Sequence, residues 1–108
     1  MTPGHNPPAN SLRGEATLEI AGQAAVLRPS FAALVAAEEE LGPLYALIER
    51  AGAGQLRLSE VACLFWHCLD RPAAFSRESV GEAIADLGLA RCSAPLRILL
   101  GQILRGSV

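Results

Sequence analysis

One run of strict alternation constrains this chain more than any other feature. Leu12, Gly14, Ala16, Leu18 and Ile20 fall on one side, and Arg13, Glu15, Thr17 and Glu19 on the other. A period of two is a strand with one wet face. Gly22-Gln23 then reads as a turn, with Gly in the first loop position of a type II′ hairpin. That register pairs Ile20 with Ala25 and Leu18 with Leu27, keeping the apolar side chains on one face. A lone hairpin is marginal in water, so the pattern predicts a helical layer over that face.

The chain after Arg28 supplies the layer. Ser30 reads as the N-cap of a helix over 31–41, with Phe31, Leu34, Val35 and Leu41 as its apolar stripe and Gly42 as its stop. Pro43 suits the first turn of a short helix carrying Leu44, Leu47, Ile48 and Ala51. Ser59 caps a third, with Val61, Leu64, Phe65, Cys68 and Leu69 inward and Arg71-Pro72 at its end. Ser76 caps a fourth, with Val80, Ala83, Ile84 and Leu87 ahead of Gly88. Ser93, with Pro95 just inside, opens a fifth that carries Leu96, Leu99, Leu100, Ile103 and Leu104. The predicted fold class is α+β, mostly α: an N-terminal β-hairpin followed by about five short helices in one compact layer.

Composition sets the outer limits. At 108 residues, 51% hydrophobic and 19% charged, the chain suits one small ordered domain. Residues 1–11, with three Pro, one Gly and two Asn, read as a disordered tail, leaving 12–108 as the domain. No apolar run approaches the ~18 residues of a membrane span, and the N-terminus lacks the basic start and apolar stretch of a signal peptide. The expectation is a cytoplasmic protein with no membrane partner. The net charge is −2, and the nine basic residues are all Arg, scattered from Arg13 to Arg105 with no two adjacent. That is far from the basic footprint of a nucleic-acid binder. Cys63, Cys68 and Cys92 are an odd number, which argues for reduced thiols over a disulfide framework.

Few residues could carry chemistry. Cys63 and His67 stand at i, i+4, a spacing that can place two ligands on one side of a metal, with Cys92 or His5 as candidates to join them. No Cys-x-x-Cys or His-x-x-x-His pair accompanies them, and buried free Cys is common. Nor does anything nearby supply the orienting carboxylate or oxyanion hole that a Cys–His nucleophile needs. Gly52-Ala53-Gly54 lacks the strand and the third glycine of a phosphate loop. The reading is therefore no catalytic, metal or cofactor-binding residues, and no cofactor. In the run Glu38-Glu39-Glu40, Glu39 and Glu40 fit a solvated face, whereas Glu38 falls on the stripe of Phe31 and Val35. Glu38 either reaches water from the stripe edge or forms a structural charge pair with Arg28 at the hairpin's end. Phe65 and Trp66 are adjacent and point about 100° apart, so the spacing predicts that only one of them faces the core squarely. Trp66, together with Ile98, Leu100, Ile103 and Leu104 on the fifth helix, is the candidate partner-binding set; the competing reading packs Trp66 at the core margin.

The stretches Arg13-Gly-Glu-Ala-Thr-Leu-Glu-Ile-Ala-Gly, Leu27-Arg-Pro-Ser-Phe-Ala-Ala-Leu, Glu38-Glu-Glu-Leu-Gly and Leu58-Ser-Glu-Val-Ala-Cys-Leu-Phe-Trp-His-Cys-Leu resemble small tail proteins encoded by gene transfer agents and related prophages. That family is classed with phage tail assembly chaperones, and the label tail tube protein is also attached to it. The resemblance implies a non-enzymatic part in building a phage-like tail. It also implies, as partners, the tape-measure protein and tail-tube subunits, with self-association when they are absent. A tube subunit needs extensive β-structure to join a closed ring, which one hairpin does not offer. The competing functions are a small helix-turn-helix regulator using residues 76–97, another protein-interaction module, and a small thiol or metal enzyme.

Overall fold

The computed structural model describes residues 15–106. Strands β1 (Ala16–Ile20) and β2 (Gln23–Leu27) form an antiparallel hairpin. Five helices follow: α1 (Phe31–Leu41), α2 (Leu44–Gly52), α3 (Leu58–Cys68), α4 (Arg77–Leu87) and α5 (Leu89–Arg105). A 3-10 turn at Pro72–Ala74 separates α3 from α4. The expected tail over 1–11 and the strand residues 12–14 lie outside the described residues.

The hairpin turns one residue earlier than the sequence suggests. Ala21 and Gly22 occupy the loop with φ of 52° and 80°, as in a type I′ turn, whose twist matches that of the strands. The register is therefore Ile20 opposite Gln23, Leu18 opposite Ala25 and Ala16 opposite Leu27, not the expected Ile20–Ala25 and Leu18–Leu27. The partner shift is two residues, an even number, so the same side chains still face inward. Ala16, Leu18, Ile20, Ala25 and Leu27 are all buried.

A short segment after α3 closes the outer edge of β2. Arg28 N donates to the Cys68 carbonyl (2.6 Å) and Asp70 N to the Val26 carbonyl (2.8 Å), with Leu27 bridged to Leu69. The Arg28 side chain reinforces this edge, reaching Asp70 at 2.8 Å and the buried Glu15 at 3.2 Å. The expected Arg28–Glu38 pair is thus replaced on both sides. Glu38 Oε2 instead accepts from Leu44 N (3.1 Å), an N–H in the first turn of α2 that has no partner within its own helix.

Helix α3 is the centre of the helical layer, with α1 and α4 packed on it. Val61, Leu64, Phe65, Cys68 and the following Leu69 are buried, as their spacing predicts. Its start lies two residues ahead of expectation. Arg57 is the N-cap in place of Ser59, and Glu60 Oε1 accepts from Arg57 N (2.9 Å) while pairing with Arg50 of α2. Ser30 and Ser76 cap α1 and α4 as predicted, accepting from Ala33 N and Ser79 N. In α2 and α4, Leu44, Leu47, Val80, Ala83 and Ile84 are buried.

Two helices depart from expectation. Helix α1 is rotated: its buried residue is Ala37, flanked by the partly buried Ala33, Leu34 and Leu41, while Phe31 is 85% and Val35 38% exposed. Small side chains let α1 lie close on α3, and the larger Phe31 and Val35 are left outside. Helix α5 begins at Leu89, not at Ser93, because Gly88 (φ 85°) ends α4 and begins α5 with no linker between. Pro95 therefore sits well inside the helix, where it lacks the N–H that would bond the carbonyl of the exposed Arg91.

The rotation of α1 is directly testable. Ala37→Leu should lower stability by about 1–3 kcal/mol through overpacking, and Phe31→Ser should change it by less than about 0.5 kcal/mol. Urea denaturation of the two variants checks the pair; the reverse order would return Phe31 to the core.

Candidate functional site

Two surface features stand out, one polar and one apolar. The polar one gathers side chains from three helices. Glu40 comes from the last turn of α1, Cys63 and His67 lie one turn apart on α3, and Arg77 is the first residue of α4. Both terminal nitrogens of Arg77 donate to the Glu40 carboxylate, Nη1 to Oε2 at 2.7 Å and Nη2 to Oε1. His67 Nε2 lies 2.8 Å from Oε1, and the Cys63 thiol is 3.6 Å from Oε2. One carboxylate thus ties α1 to both α3 and α4.

Trp66 completes the cluster from the side. The Arg77 guanidinium lies 4.6 Å above its ring, the His67 ring meets it edge-on at 5.0 Å, and its Nε1 donates to the Phe75 carbonyl at 2.9 Å. The indole is partly buried against the core, as in the core-margin reading.

The charges follow this geometry. Arg77, then His67, hold the Glu40 carboxyl at about 2, from an ordinary 4.5. Burial, then the adjacent Glu40 carboxylate, push the Cys63 thiol up to about 11, and burial pushes Cys68 up to about 12. Neither is a thiolate near neutral pH, so neither has the activation that a nucleophilic cysteine needs. Cys63, His67 and Glu40 nevertheless offer one sulfur, one nitrogen and one oxygen, all within 4.8 Å of one another. The sequence reading considered Cys92 or His5 beside Cys63 and His67. Cys92 is on α5, His5 lies outside the described residues, and the third group is Glu40. No local spacing could have found it, since it stands 23 residues before Cys63 in a run that reads as solvated.

The apolar feature is an open groove between the end of α2, the start of α3 and the start of α5. Ala51, Leu56, Val61, Leu89, Cys92 and Leu96 line it. Leu89 is 57% exposed, and Leu58, the first residue of α3, is also exposed. Leu89, Cys92 and Leu96 follow helical spacing, a signal hidden by starting the helix at Ser93. Of the partner-binding set read from sequence, Ile98, Leu100 and Ile103 pack partly against the core, and Leu104 is 53% exposed.

Acid titration tests the polar cluster. A carboxyl whose folded pKa is depressed contributes stability that is present above its unfolded value and lost as pH falls through the folded one. For Glu40 that window runs from 4.5 down to about 2, and Glu60, held down first by Arg50 and then by the Arg57 N–H, shares it. Glu40→Gln should flatten the fall in Tm across this range, and adding Glu60→Gln should flatten it further. Thermal melts at stepped pH check this; a Glu40→Gln slope equal to the wild type would remove Glu40 from the acid response.

The candidate helix-turn-helix region gains no support from charge placement, since Arg77 is committed to Glu40 and Trp66. No described helix is long and apolar enough to cross a membrane. No curated protein and no solved structure matches the chain. One family model, described as phage tail tube protein, GTA-gp10, matches residues 13–106. With that match spanning most of its length, the chain belongs to the GTA-gp10 phage tail tube protein family, and its role is a structural one in a phage-like tail.

Proposed function

We propose that this tail protein acts as an assembly chaperone, binding the tape-measure protein and delivering tail-tube subunits to it. The observation that carries this reading is the apolar groove lined by Leu56, Val61, Leu89 and Leu96, with Leu58 and Leu89 exposed. Such a groove accepts one face of an amphipathic helix, and a tape-measure protein is a long helical partner of that kind. The α5 residues Ile98, Leu100, Ile103 and Leu104 extend the proposed surface along the same helix, and Trp66 is a further proposed contact.

The small sheet also favours this role over that of a tube-wall subunit. The described residues contain one two-stranded sheet, and the Leu69 bridge already occupies part of the outer edge of β2. A ring built by strand addition needs longer free edges.

Co-expression with the tape-measure protein of the same gene cluster is the test. A stable complex should co-purify, and Leu89→Asp should abolish it while changing Tm by no more than a degree or two, because Leu89 is exposed at a helix start where Asp is favourable. Failure of the wild type to co-purify would overturn the proposal, and an intact complex with Leu89→Asp would move the contact elsewhere. Without its partner the wild type should self-associate more than Leu89→Asp, as read by size-exclusion chromatography with light scattering.

A further inference from the structure

We propose that Cys63, His67 and Glu40 form a site for a divalent transition cation of the zinc class, which would clamp α1 to α3. The inference is independent of the chaperone reading and rests on donor chemistry, geometry and access.

The donor set is thiol, imidazole and carboxylate, the three side-chain types that bind zinc. Cys63 and His67 are one turn apart on the same helix, so their side chains can close on one ion without a change in the backbone of α3. Tetrahedral coordination with bonds of ~2.0–2.3 Å puts neighbouring ligand atoms roughly 3.3–3.6 Å apart. Glu40 Oε1 lies 2.8 Å from His67 Nε2 and the other oxygen, Oε2, 3.6 Å from Cys63 Sγ, distances around that separation, and one ligand atom from each residue lies within 4.8 Å of the others. Side-chain adjustments of about an ångström are sufficient.

The thiol proton already points at Glu40, and the imidazole meets the same carboxylate through Nε2. On binding, Cys63 would release its proton to solvent, and a neutral His67 would carry its proton on Nδ1, freeing the Nε2 lone pair. Thiolate and carboxylate together then neutralise the two charges of the cation. Arg77 keeps a claim on Glu40 and adds one positive charge nearby, so affinity is set by competition and rises with pH as the thiol proton becomes easier to displace. Access is open: Glu40, Ser59, Ala62, Cys63 and Arg77 line a surface groove with room for water as the fourth ligand.

Cobalt(II) reports such a site directly. The reduced full-length chain titrated with Co2+ should bind one equivalent, giving a near-ultraviolet thiolate-to-cobalt band and the visible bands of tetrahedral cobalt, and Zn2+ should remove both. Cys63→Ser should lose the thiolate band, His67→Gln should weaken binding at least tenfold, and Cys92→Ala should leave both unchanged. Zn2+ should raise the Tm of the wild type but not of Cys63→Ser, with metal-free melts of each variant establishing that it folds. Absence of the thiolate band in the wild type, or its survival in Cys63→Ser, would overturn the proposal.

Discussion

The fold depends on covering one face of a hairpin that cannot stand alone. Two five-residue strands present Ala16, Leu18, Ile20, Ala25 and Leu27 on one side, and two strands with a single apolar face are marginal in water. The chain answers twice. Helices α3, α4 and α5 bring Leu64, Phe65, Val80, Ile84 and Leu99 into the same buried cluster. The end of α3 then returns to the edge of β2, where Arg28 N meets the Cys68 carbonyl and the Arg28 guanidinium joins Glu15 to Asp70. Start of hairpin, end of hairpin and end of central helix are thereby held at one point.

Glu40 does for the helices what Arg28 does for the hairpin. Its carboxylate receives Arg77 from α4 and contacts His67 and Cys63 from α3. This leaves the helices well tied on the Glu40 side, while the apolar groove between α2 and α5 remains open on the surface. A small tail protein whose work is done through protein contacts needs both: a scaffold that keeps its shape and apolar surface left uncovered.

Helix boundaries and inward faces were legible wherever local chemistry acts alone. Ser30 and Ser76 cap because a side-chain oxygen three residues before an N–H satisfies it, whatever the tertiary fold. The stripes of α2, α3 and α4 are inward because their large apolar residues have no competing arrangement. Where two local rules conflict, reading fails. Pro95 suits a first turn, and that rule hid the helical spacing of Leu89, Cys92 and Leu96, which the Gly88 junction makes continuous. In α1 the rule that large apolar residues turn inward loses to close packing on α3 through Ala33 and Ala37, so Phe31 stays outside.

By itself, then, the sequence determined an amphipathic hairpin followed by helices, the Ser30 and Ser76 caps and most of the core, because these follow from period, propensity and hydrogen bonds within a few residues. Its resemblance to small tail proteins pointed to the family that the match over 13–106 establishes. Only the tertiary structure decided the hairpin register, the rotation of α1, the partners of Arg28 and Glu38, and the meeting of Glu40 with Cys63, His67 and Arg77. The charge contacts among them reach across as much of the chain as separates Arg28 from Asp70 and Glu40 from Arg77. Which charge meets which depends on how whole helices pack, and no spacing along the chain encodes that.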